Sequence, residues 1–300
     1  MARAWREPDR SPSARLSDGR TARIVPAAVT TGFELEVDGV AQSHVDPADP
    51  AHLHFEYVAR MAAVIDLVRM PGQPVRAVHL GAGAMTIPRY VAHTRPGSVQ
   101  HVLEREPALA ALVAEQLPLP AGADVRIRFA DAREGLPMLA AEVRRAAPHD
   151  GDALDADPGG ADLLVSDVFA GPETPAHVTT IEFYRDAAAL LAPSGLLLVN
   201  VADGGGLAHA RAQVATVRAV LEHVVVLAER ATIERGRFGN VVVAASAAPM
   251  PAWWAERLQA VGPFPGSALA GAEADRFAGG ARPVRDGAAS PSPRPWPASC

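Results

Sequence analysis

The sequence predicts a doubly wound α/β fold with a mostly parallel sheet of seven strands, and three observations support this prediction. From residue 75 onward, strand-like apolar runs alternate with helical patterns, which is the order that produces a parallel sheet with helices on both faces. The run 75–80 passes directly into the glycines Gly81 and Gly83. The valine-rich runs 224–227 and 241–244 have no helical pattern between them, which predicts an antiparallel pair in which the last strand reverses direction.

The sequence predicts helices and strands throughout this fold. Residues 50–70 carry apolar side chains at every third or fourth position, which is the spacing of an amphipathic helix. A short helix is predicted near 252–260. The remaining segments are strands at 75–80, 99–104, 125–129, 162–166, 196–201, 224–227 and 241–244, and helices at 86–93, 107–117, 133–146, 179–191 and 206–222.

The segments outside this alternating pattern have different compositions. Residues 1–20 are rich in Pro, Arg and Ser, which predicts disorder. Residues 21–46 predict a small β-hairpin unit, because Asp38-Gly39 is typical of a two-residue type I′ turn. The acidic stretch 148–160 predicts a surface insertion. Residues 262–300 are rich in Ala, Gly, Pro and Ser, and predict a disordered tail whose removal the fold should tolerate.

The composition argues against several classes of function. A net charge of −6 offers no basic surface for nucleic acid. No apolar run approaches the ~20 residues of a membrane span, and residues 1–15 lack the apolar core of a secretory signal. The single cysteine, Cys300, excludes an internal disulfide, and the histidine spacings match no metal-binding motif. We therefore expect a cytoplasmic protein without a bound metal.

The central motif combines a glycine turn with an acidic strand end. Glu104 ends the second predicted strand of the large domain, 47–261. It follows Gly83 by about 20 residues, the spacing at which an acidic residue reaches a ribose hydroxyl. The third glycine of the dinucleotide pattern is missing, because Ile87-Pro88 occupies that region. The motif therefore predicts that Gly81, Gly83 and Glu104 bind a nucleoside without a pyrophosphate, such as S-adenosylmethionine or a relative.

Gln42 is a further candidate for ligand binding. In the predicted hairpin Leu35 lies opposite Gln42 and Phe33 lies opposite His44, so Gln42 shares the apolar face. A buried amide must find hydrogen-bond partners. Two interpretations stay open: an edge position with the amide in water, or a position over the ligand.

These motifs resemble the spermidine synthase family of aminopropyltransferases, which have the class I methyltransferase fold. The resemblance extends from about Phe33 to Ala245. It is carried by Val37-Asp38-Gly39-Val40-Ala41-Gln42, His79-Leu80-Gly81-Ala82-Gly83, Glu104, Ala130-Asp131-Ala132, Leu163-Leu164-Val165-Ser166-Asp167, Glu182-Phe183-Tyr184 and Leu191-Ala192-Pro193-Ser194-Gly195.

The resemblance implies roles for individual residues. Gln42 would touch the nucleoside, Glu104 would bind the ribose, and Asp131 would contact the adenine amine. The group donor would be decarboxylated S-adenosylmethionine or S-adenosylmethionine. The acceptor would be a small molecule of the polyamine type, and a homodimer is compatible with the resemblance.

Three positions depart from the family pattern. Ala84 stands where the family carries an Asp that holds the aminopropyl amine, and Ala170 stands at its catalytic Asp. Phe55 replaces the Tyr that orients the diamine. The adenosine half of the site is thus retained, whereas the amine-handling half is not. Burying an ammonium group without a carboxylate partner costs several kcal/mol, so we expect aminopropyl transfer to putrescine to be slow or undetectable.

Aminopropyl transfer requires a group that takes a proton from the attacking ammonium. The loop after the fourth strand offers Asp167, Glu173 and His177, of which Asp167 and Glu173 are the predicted catalytic residues. Asp167 is also predicted to bind the ligand, since open α/β sheets bind ligands at the carboxyl ends of their strands. Structural alternatives stay open: Asp167 as a turn cap, His177 as a plain loop histidine, and Asp131 as the N-cap of the following helix.

Two other functions stay open. One is an S-adenosylmethionine-dependent methyltransferase, because methyl transfer needs only a positioned acceptor and a bound sulfonium. The other is a non-catalytic nucleoside-binding module. A protein that had lost catalysis but still bound the nucleoside would keep the glycine motif and lose the acids, which is the pattern at positions 84 and 170.

Overall fold

The chain forms two β-sheets. The computed structural model describes residues 11–145 and 159–294. An antiparallel sheet of four strands precedes a mixed sheet of eight strands that has helices on both faces. The predicted α/β class with a mostly parallel central sheet is confirmed. Nearly all of the predicted insertion at 148–160, and also Cys300, lie outside the described residues.

The described residues contain these elements. The N-terminal sheet consists of β1 Ser13–Arg15, β2 Thr21–Pro26, β3 Phe33–Val37 and β4 Val40–Val45. The central sheet consists of β5 Arg76–Leu80, β6 Val99–Glu104, β7 Asp124–Phe129, β8 Ala161–Ser166, β9 Leu191–Asp203, β10 His223–Glu229, β11 Gly239–Ser246 and β12 Gly266–Ala270. The helices are α1 Glu56–Ile65, α2 Thr86–Thr94, α3 Pro107–Gln116, α4 Ala132–Arg145, α5 Ile181–Ala188, α6 Ala208–Arg218, α7 Arg230–Arg235, α8 Trp253–Val261 and α9 Ala272–Ala278, with 3-10 turns at Ala176–Val178 and Asp286–Ala288.

The central sheet has the strand order β12-β10-β11-β9-β8-β5-β6-β7. β5 pairs in parallel with β6 on one side and β8 on the other, so the chain changes direction across the sheet at β5. Ligands bind at such a switch point, outside the carboxyl ends of the strands. β11 runs antiparallel to both β9 and β10, which confirms the predicted reversal.

Apolar side chains alternate between the two faces of this sheet, as the period of two in a strand requires. Val78 and Leu80 of β5 are fully buried beneath α4, α5 and α6. Val75 and Ala77 are buried on the opposite face, beneath α1, α2 and α8. Because both faces of β5 are covered, the polar side chain of His79 is enclosed as well.

The N-terminal region is more ordered than its composition predicts. β1 pairs with β2, Leu16 is buried, and the amide and hydroxyl groups of Ser17 both donate to the carboxylate of Glu106 (2.9 and 2.5 Å). The prediction of disorder for 1–20 is therefore wrong for residues 11–20. The hairpin predicted within 21–46 is one half of a four-stranded sheet. The burial of Leu16 and the hydrogen bonds from Ser17 to Glu106 order this segment in spite of its polar composition.

The hairpin register also differs from the prediction. Val37 faces Val40 as expected, but Leu35 faces Ser43 and Phe33 faces Val45. Gln42 is therefore the extra residue of a β-bulge, a feature that turns a side chain away from the regular alternation. Strand periodicity alone cannot reveal one extra residue.

Residues 262–294 do not form the predicted disordered tail. β12 adds an eighth strand, antiparallel to β10, where seven strands were predicted. α9 then buries Ala274 and Phe277 in the core. Alanine and glycine dominate this region as they do in linkers, but here the small residues pack against the sheet edge. The expectation that the fold tolerates removal of this region is therefore corrected.

Residues 281–294, which we call the C-terminal strap, run along the loop that follows β8. Val284 O accepts the amide of Ile181 (2.9 Å). Near the end of the strap, Ser292 and Thr174 exchange two hydrogen bonds: the Ser292 amide donates to Thr174 O (3.1 Å) and the Thr174 amide donates to Ser292 Oγ (2.8 Å). The strap thus fixes a loop at the carboxyl edge of the sheet.

Two smaller differences concern helices. The helix predicted at 50–70 is limited to α1, and the link between β10 and β11 contains the six-residue helix α7, where no helix was predicted. No helix in the described ranges 11–145 and 159–294 is both long and apolar enough to cross a membrane.

Candidate functional site

A cavity of about 170 Å³ lies at the carboxyl ends of β5, β6, β7 and β8, beneath the N-terminal sheet. The structure brings all six residues predicted to bind the nucleoside to its wall. These are Gln42, Gly81, Gly83, Glu104, Asp131 and Asp167. Within the described part of the chain, no group of three His, Cys, Asp or Glu side chains is placed to hold a metal ion.

The glycine loop is shaped by close approaches within the protein. Gly81 has a φ of +85°, and a Cβ atom there would lie 2.5 Å from the carbonyl oxygen of Asp167. Gly83 has a φ of +49°, and its Cβ would lie 2.5 Å from Ser43 Oγ. Both positions therefore require glycine, on backbone and steric grounds. The loop is held against the end of β8 and against β4.

Glu104 is a buried carboxylate that faces this loop. Its Oε2 accepts the amide of Ala82 (2.9 Å), and its Oε1 accepts the amide of Glu106 (2.8 Å). Burial raises the pKa of Glu104, while these backbone hydrogen bonds oppose the shift. A carboxylate has about four lone-pair sites, and these backbone amides, with that of Arg105, do not occupy all of them.

Asp131 is anchored at the start of α4. Its Oδ1 accepts the amide of Arg133 (2.9 Å), the contact expected if Asp131 caps the helix. Both carboxylate oxygens also lie near His177 Nε2 (3.1 and 3.0 Å). His177 therefore holds Asp131 from the loop after β8. Arg133 in turn forms a bidentate ion pair with Asp286 of the C-terminal strap (2.7 Å for each bond).

Asp167 belongs to a polar network that crosses four elements. Its Oδ1 accepts from Asn200 Nδ2 (2.8 Å) and its Oδ2 accepts from the hydroxyl of Tyr57 (3.2 Å). Asn200 Oδ1 accepts from Asn240 Nδ2 (3.0 Å). Burial raises the pKa of Asp167, and the bonds from Asn200 and Tyr57 oppose it. The pKa of Tyr57 is also raised, chiefly by burial and then by the carboxylate of Asp167.

Sequence reasoning missed the partners of Asp167. By its spacing, Tyr57 is one of the apolar positions of the predicted helix 50–70, and Phe55 stands where the resemblance expects the functional tyrosine. The structure supplies a phenol hydroxyl at the cavity from Tyr57, two residues further on. Asn200 did carry a detectable signal, because an amide within the apolar run Leu196–Val201 must find a partner.

The three positions linked to amine chemistry have different surroundings. Ala84 packs in an apolar cluster between the N-terminal sheet and α3, and is not among the described residues that line the cavity. Ala170 does line the cavity, with a methyl group. Glu173 pairs with Arg294 of the strap (Oε1 to Nε 3.1 Å) and is not part of the described lining. The catalytic role of Glu173 stays a prediction, although its side chain is held toward the strap by Arg294.

A second cavity of about 310 Å³ adjoins the first one and shares Gln42 and Tyr57 with it. Two glutamates line the second cavity, and each lies beside an arginine. Glu56 pairs with Arg60 (3.0 Å), and Glu229 lies 3.7 Å from Arg237. The remaining described lining residues are Ala41, Phe55, Thr232, Gly239 and Asn240.

The fold is that of a class I methyltransferase-like protein, with a cavity at the carboxyl ends of its parallel strands. No protein-family model matches the chain, and no curated protein is significantly similar to it in sequence. Solved structures do match. A probable spermidine synthase from Corynebacterium glutamicum is 28% identical, with 92% of this chain and 96% of that one covered and a TM-score of 0.76.

Two more distant structures have the same fold. The spermidine synthase of Thermotoga maritima is 12% identical over 85% of both chains, with a TM-score of 0.53. A spermidine synthase solved in complex with the transition-state analogue AdoDATO is 13% identical over 85% of both chains, with a TM-score of 0.51. The resemblance read from the sequence is confirmed: the chain is similar to a probable spermidine synthase over nearly its whole length, and the two distant structures share its fold.

Proposed function

We propose that this protein is a transferase that binds decarboxylated S-adenosylmethionine or a related thio-nucleoside. The observation that carries the proposal is the placement of three carboxylates at neighbouring strand ends. Asp131 follows β7, Glu104 ends β6, and Asp167 follows β8, on either side of the glycine loop. The 28% identical neighbour, a probable spermidine synthase, supports this class.

Each carboxylate has a proposed partner on the ligand. Glu104 accepts hydrogen bonds from the ribose hydroxyls with its remaining lone pairs, and Asp131 accepts from the adenine amine. Gln42, turned by the bulge, lies over the nucleoside from the N-terminal sheet. Asp167 lies at the reacting end of the donor, next to Tyr57 and the second cavity.

The proposed reaction is an in-line displacement. The acceptor nitrogen forms a bond to the carbon beside the sulfonium, the carbon–sulfur bond breaks, and its electron pair stays on sulfur as a neutral thioether. Asp167 takes the proton that the attacking ammonium must lose, and its raised pKa makes it a better base. The acceptor enters through the second cavity.

The charges that line the second cavity indicate how much positive charge the acceptor can carry. Its glutamates, Glu56 and Glu229, are each beside an arginine, so their charge is already compensated. Ala170 adds no carboxylate to the wall of the first cavity. We therefore propose that the natural acceptor carries less positive charge than a diamine.

A ligand panel tests the proposed donor. Decarboxylated S-adenosylmethionine and methylthioadenosine should each raise the melting temperature, because a ligand at 100 times its Kd adds about 2.7 kcal/mol to the stability of the folded state. NAD, whose pyrophosphate the glycine loop does not suit, serves as the matched control and should cause no shift. The absence of any shift with either thio-nucleoside would contradict the proposal. A clear preference for S-adenosylmethionine would instead favour methyl transfer.

A turnover assay tests the acceptor and the base. With decarboxylated S-adenosylmethionine and putrescine we expect slow transfer, and Asp167→Asn should lower the residual rate by about 100-fold or more, which is the usual contribution of a general base. Glu173→Gln is the matched control and should leave the rate unchanged, because Glu173 is paired with Arg294. Robust putrescine turnover that Glu173→Gln abolishes would place the base on the loop after β8 and refute the assignment to Asp167.

A further inference from the structure

His79 is a buried imidazole at the wall of the nucleoside cavity to which the proposed function assigns no role. It lies in the middle of the central sheet, where Val102 of β6 and Val165 of β8 are its neighbours in register. Its side chain is 2% exposed, and it is the histidine among the described lining residues of the cavity. Its Nδ1 atom has no hydrogen-bond partner in the described part of the chain.

The tautomer of this imidazole follows from its neighbours. Gln100 Nε2 donates to the carbonyl oxygen of Pro88 (3.0 Å), so Gln100 Oε1 is the atom that faces His79 Nε2 (2.9 Å). The Nε2 atom must therefore carry the hydrogen and donate it, which leaves a lone pair on Nδ1. Burial lowers the pKa of His79 to about 4, so the ring is neutral and Nδ1 remains an acceptor near neutral pH.

The strand order indicates which part of a ligand lies closest to His79. The order β8-β5-β6-β7 places Asp131 at one end, then Glu104, then His79 on the next strand, and Asp167 at the other end. Neighbouring strands are about 4.8 Å apart, so the row spans about 14 Å. A thio-nucleoside with its base at Asp131 and its ribose at Glu104 therefore extends its aliphatic chain toward His79 and Asp167.

The charges around the cavity favour a donor group at this end. Of the arginines in the described lining, Arg20 is paired with Asp18 (2.7 Å) and Arg105 lies 3.9 Å from Glu106. Arg105 lies on the side of α3, whereas Arg20 reaches the loop after β8, where a Cβ atom on Gly171 would lie 3.1 Å from Arg20 Nη1. The wall formed by β5 and the end of β8 includes Asp167 and His79, and the Nδ1 atom of His79 is enclosed there without a partner in the described chain. Two acceptors on one wall suit an ammonium group, and the charge of Arg20, the lining arginine that reaches the loop after β8, is compensated by Asp18.

We propose that His79 Nδ1 accepts a hydrogen bond from the amino group of the donor's aliphatic chain. This inference rests on the proposed function, and it gives the amine a partner in a protein that has Ala84 in place of the expected acid. His79 is then a specificity-determining residue that distinguishes amino-bearing thio-nucleosides from those that lack the amine.

The test compares two ligands that differ in the aminopropyl group. Both decarboxylated S-adenosylhomocysteine and methylthioadenosine are neutral at sulfur, and only the first carries the amine. By calorimetry, His79→Leu should weaken binding of decarboxylated S-adenosylhomocysteine about tenfold, the effect of one lost hydrogen bond. The Kd of methylthioadenosine should stay within about twofold of its original value, which is a difference of only a few tenths of a kcal/mol.

His101→Leu is the matched control. His101 is equally buried, its Nε2 also has no partner in the described chain, and it lies on β6 outside the described lining. This substitution should change neither Kd. An equal loss for both ligands with His79→Leu, or no loss for the amine-bearing one, would overturn the role of His79 while leaving the proposed function intact. Failure of the unsubstituted protein to bind either ligand would overturn both proposals.

A second measurement needs no substitution and covers the case in which His79→Leu does not fold. In nitrogen-15 spectra of histidine-labelled protein, one unprotonated Nδ1 resonance should move when decarboxylated S-adenosylhomocysteine is added, because a lone pair that accepts a hydrogen bond changes its shielding. Methylthioadenosine should leave that resonance in place. If no unprotonated Nδ1 resonance distinguishes the two ligands, the proposal is wrong.

Discussion

Deletion of all residues after Gly262 should unfold the protein. The deletion removes β12, which pairs with β10 through five registered residues from Gly266 to Ala270. It also removes α9, whose Phe277 side chain is buried in the core with the guanidinium of Arg211 4.9 Å from its ring centre. Loss of a buried Phe side chain alone costs about 3–5 kcal/mol, whereas whole domains are stable by only about 5–15 kcal/mol.

Thermal and urea unfolding would measure this effect, with two point variants as calibration. Phe277→Ala should lower the free energy of unfolding by about 3–5 kcal/mol. Arg282→Ala, in the exposed part of the strap, is the matched control and should change it by less than about 0.5 kcal/mol. A truncated protein with an unchanged melting temperature would mean that β12 and α9 contribute nothing to the fold.

Substitution of Glu104 by Ala should produce the largest loss of nucleoside binding of any single change. If the carboxylate accepts two ribose hydroxyls, its removal costs about 2–3 kcal/mol, since a hydrogen bond to a charged group is worth about 1.5–3 kcal/mol. This corresponds to a Kd about 30- to 160-fold higher. The variant should also be less stable, because the buried amides of Ala82 and Glu106 lose their acceptor.

Calorimetric titration with methylthioadenosine would measure the binding loss, and thermal unfolding without ligand would measure the stability loss. Glu115→Ala, an exposed glutamate of α3 outside the described lining, controls for the general removal of negative charge and should alter neither quantity. An unchanged Kd in a folded Glu104→Ala protein would remove Glu104 from the ribose site.

The sequence predicted the parts of the fold that depend on local periodicity. The strand ends at Glu104 and Ser166, and the glycine turn between β5 and α2, follow from apolar runs and from the special backbone of glycine. Because parallel strands present their carboxyl ends at one edge, the gathering of Glu104, Asp131 and Asp167 at one cavity was predictable without knowledge of any contact.

The parts that could not be predicted depend on contacts between segments distant in sequence. Glu173 is close to Asp167 in sequence, yet Arg294, 121 positions further on, draws its side chain to the strap. Tyr57 looked like one more apolar position of α1, and only the approach of Asp167, 110 positions away, makes its hydroxyl part of the site. Both pairings, Glu173 with Arg294 and Tyr57 with Asp167, join distant segments, so no local sequence pattern predicts them.

The pairing of β12 with β10 also governs how copies of the chain meet one another. An uncovered β10 would present a row of free backbone amides and carbonyls beside its apolar run Val224–Leu227, which is the kind of edge on which strands of other molecules assemble. α8 and α9 pack against β12, so the new edge is shielded by helices. At the opposite edge, β7 carries Arg126 and Arg128, which pair with Asp124 and Glu142, so that an incoming strand would have to displace ionised side chains. Both ends of the sheet thus disfavour intermolecular strand exchange, one through packed helices and the other through ion pairs.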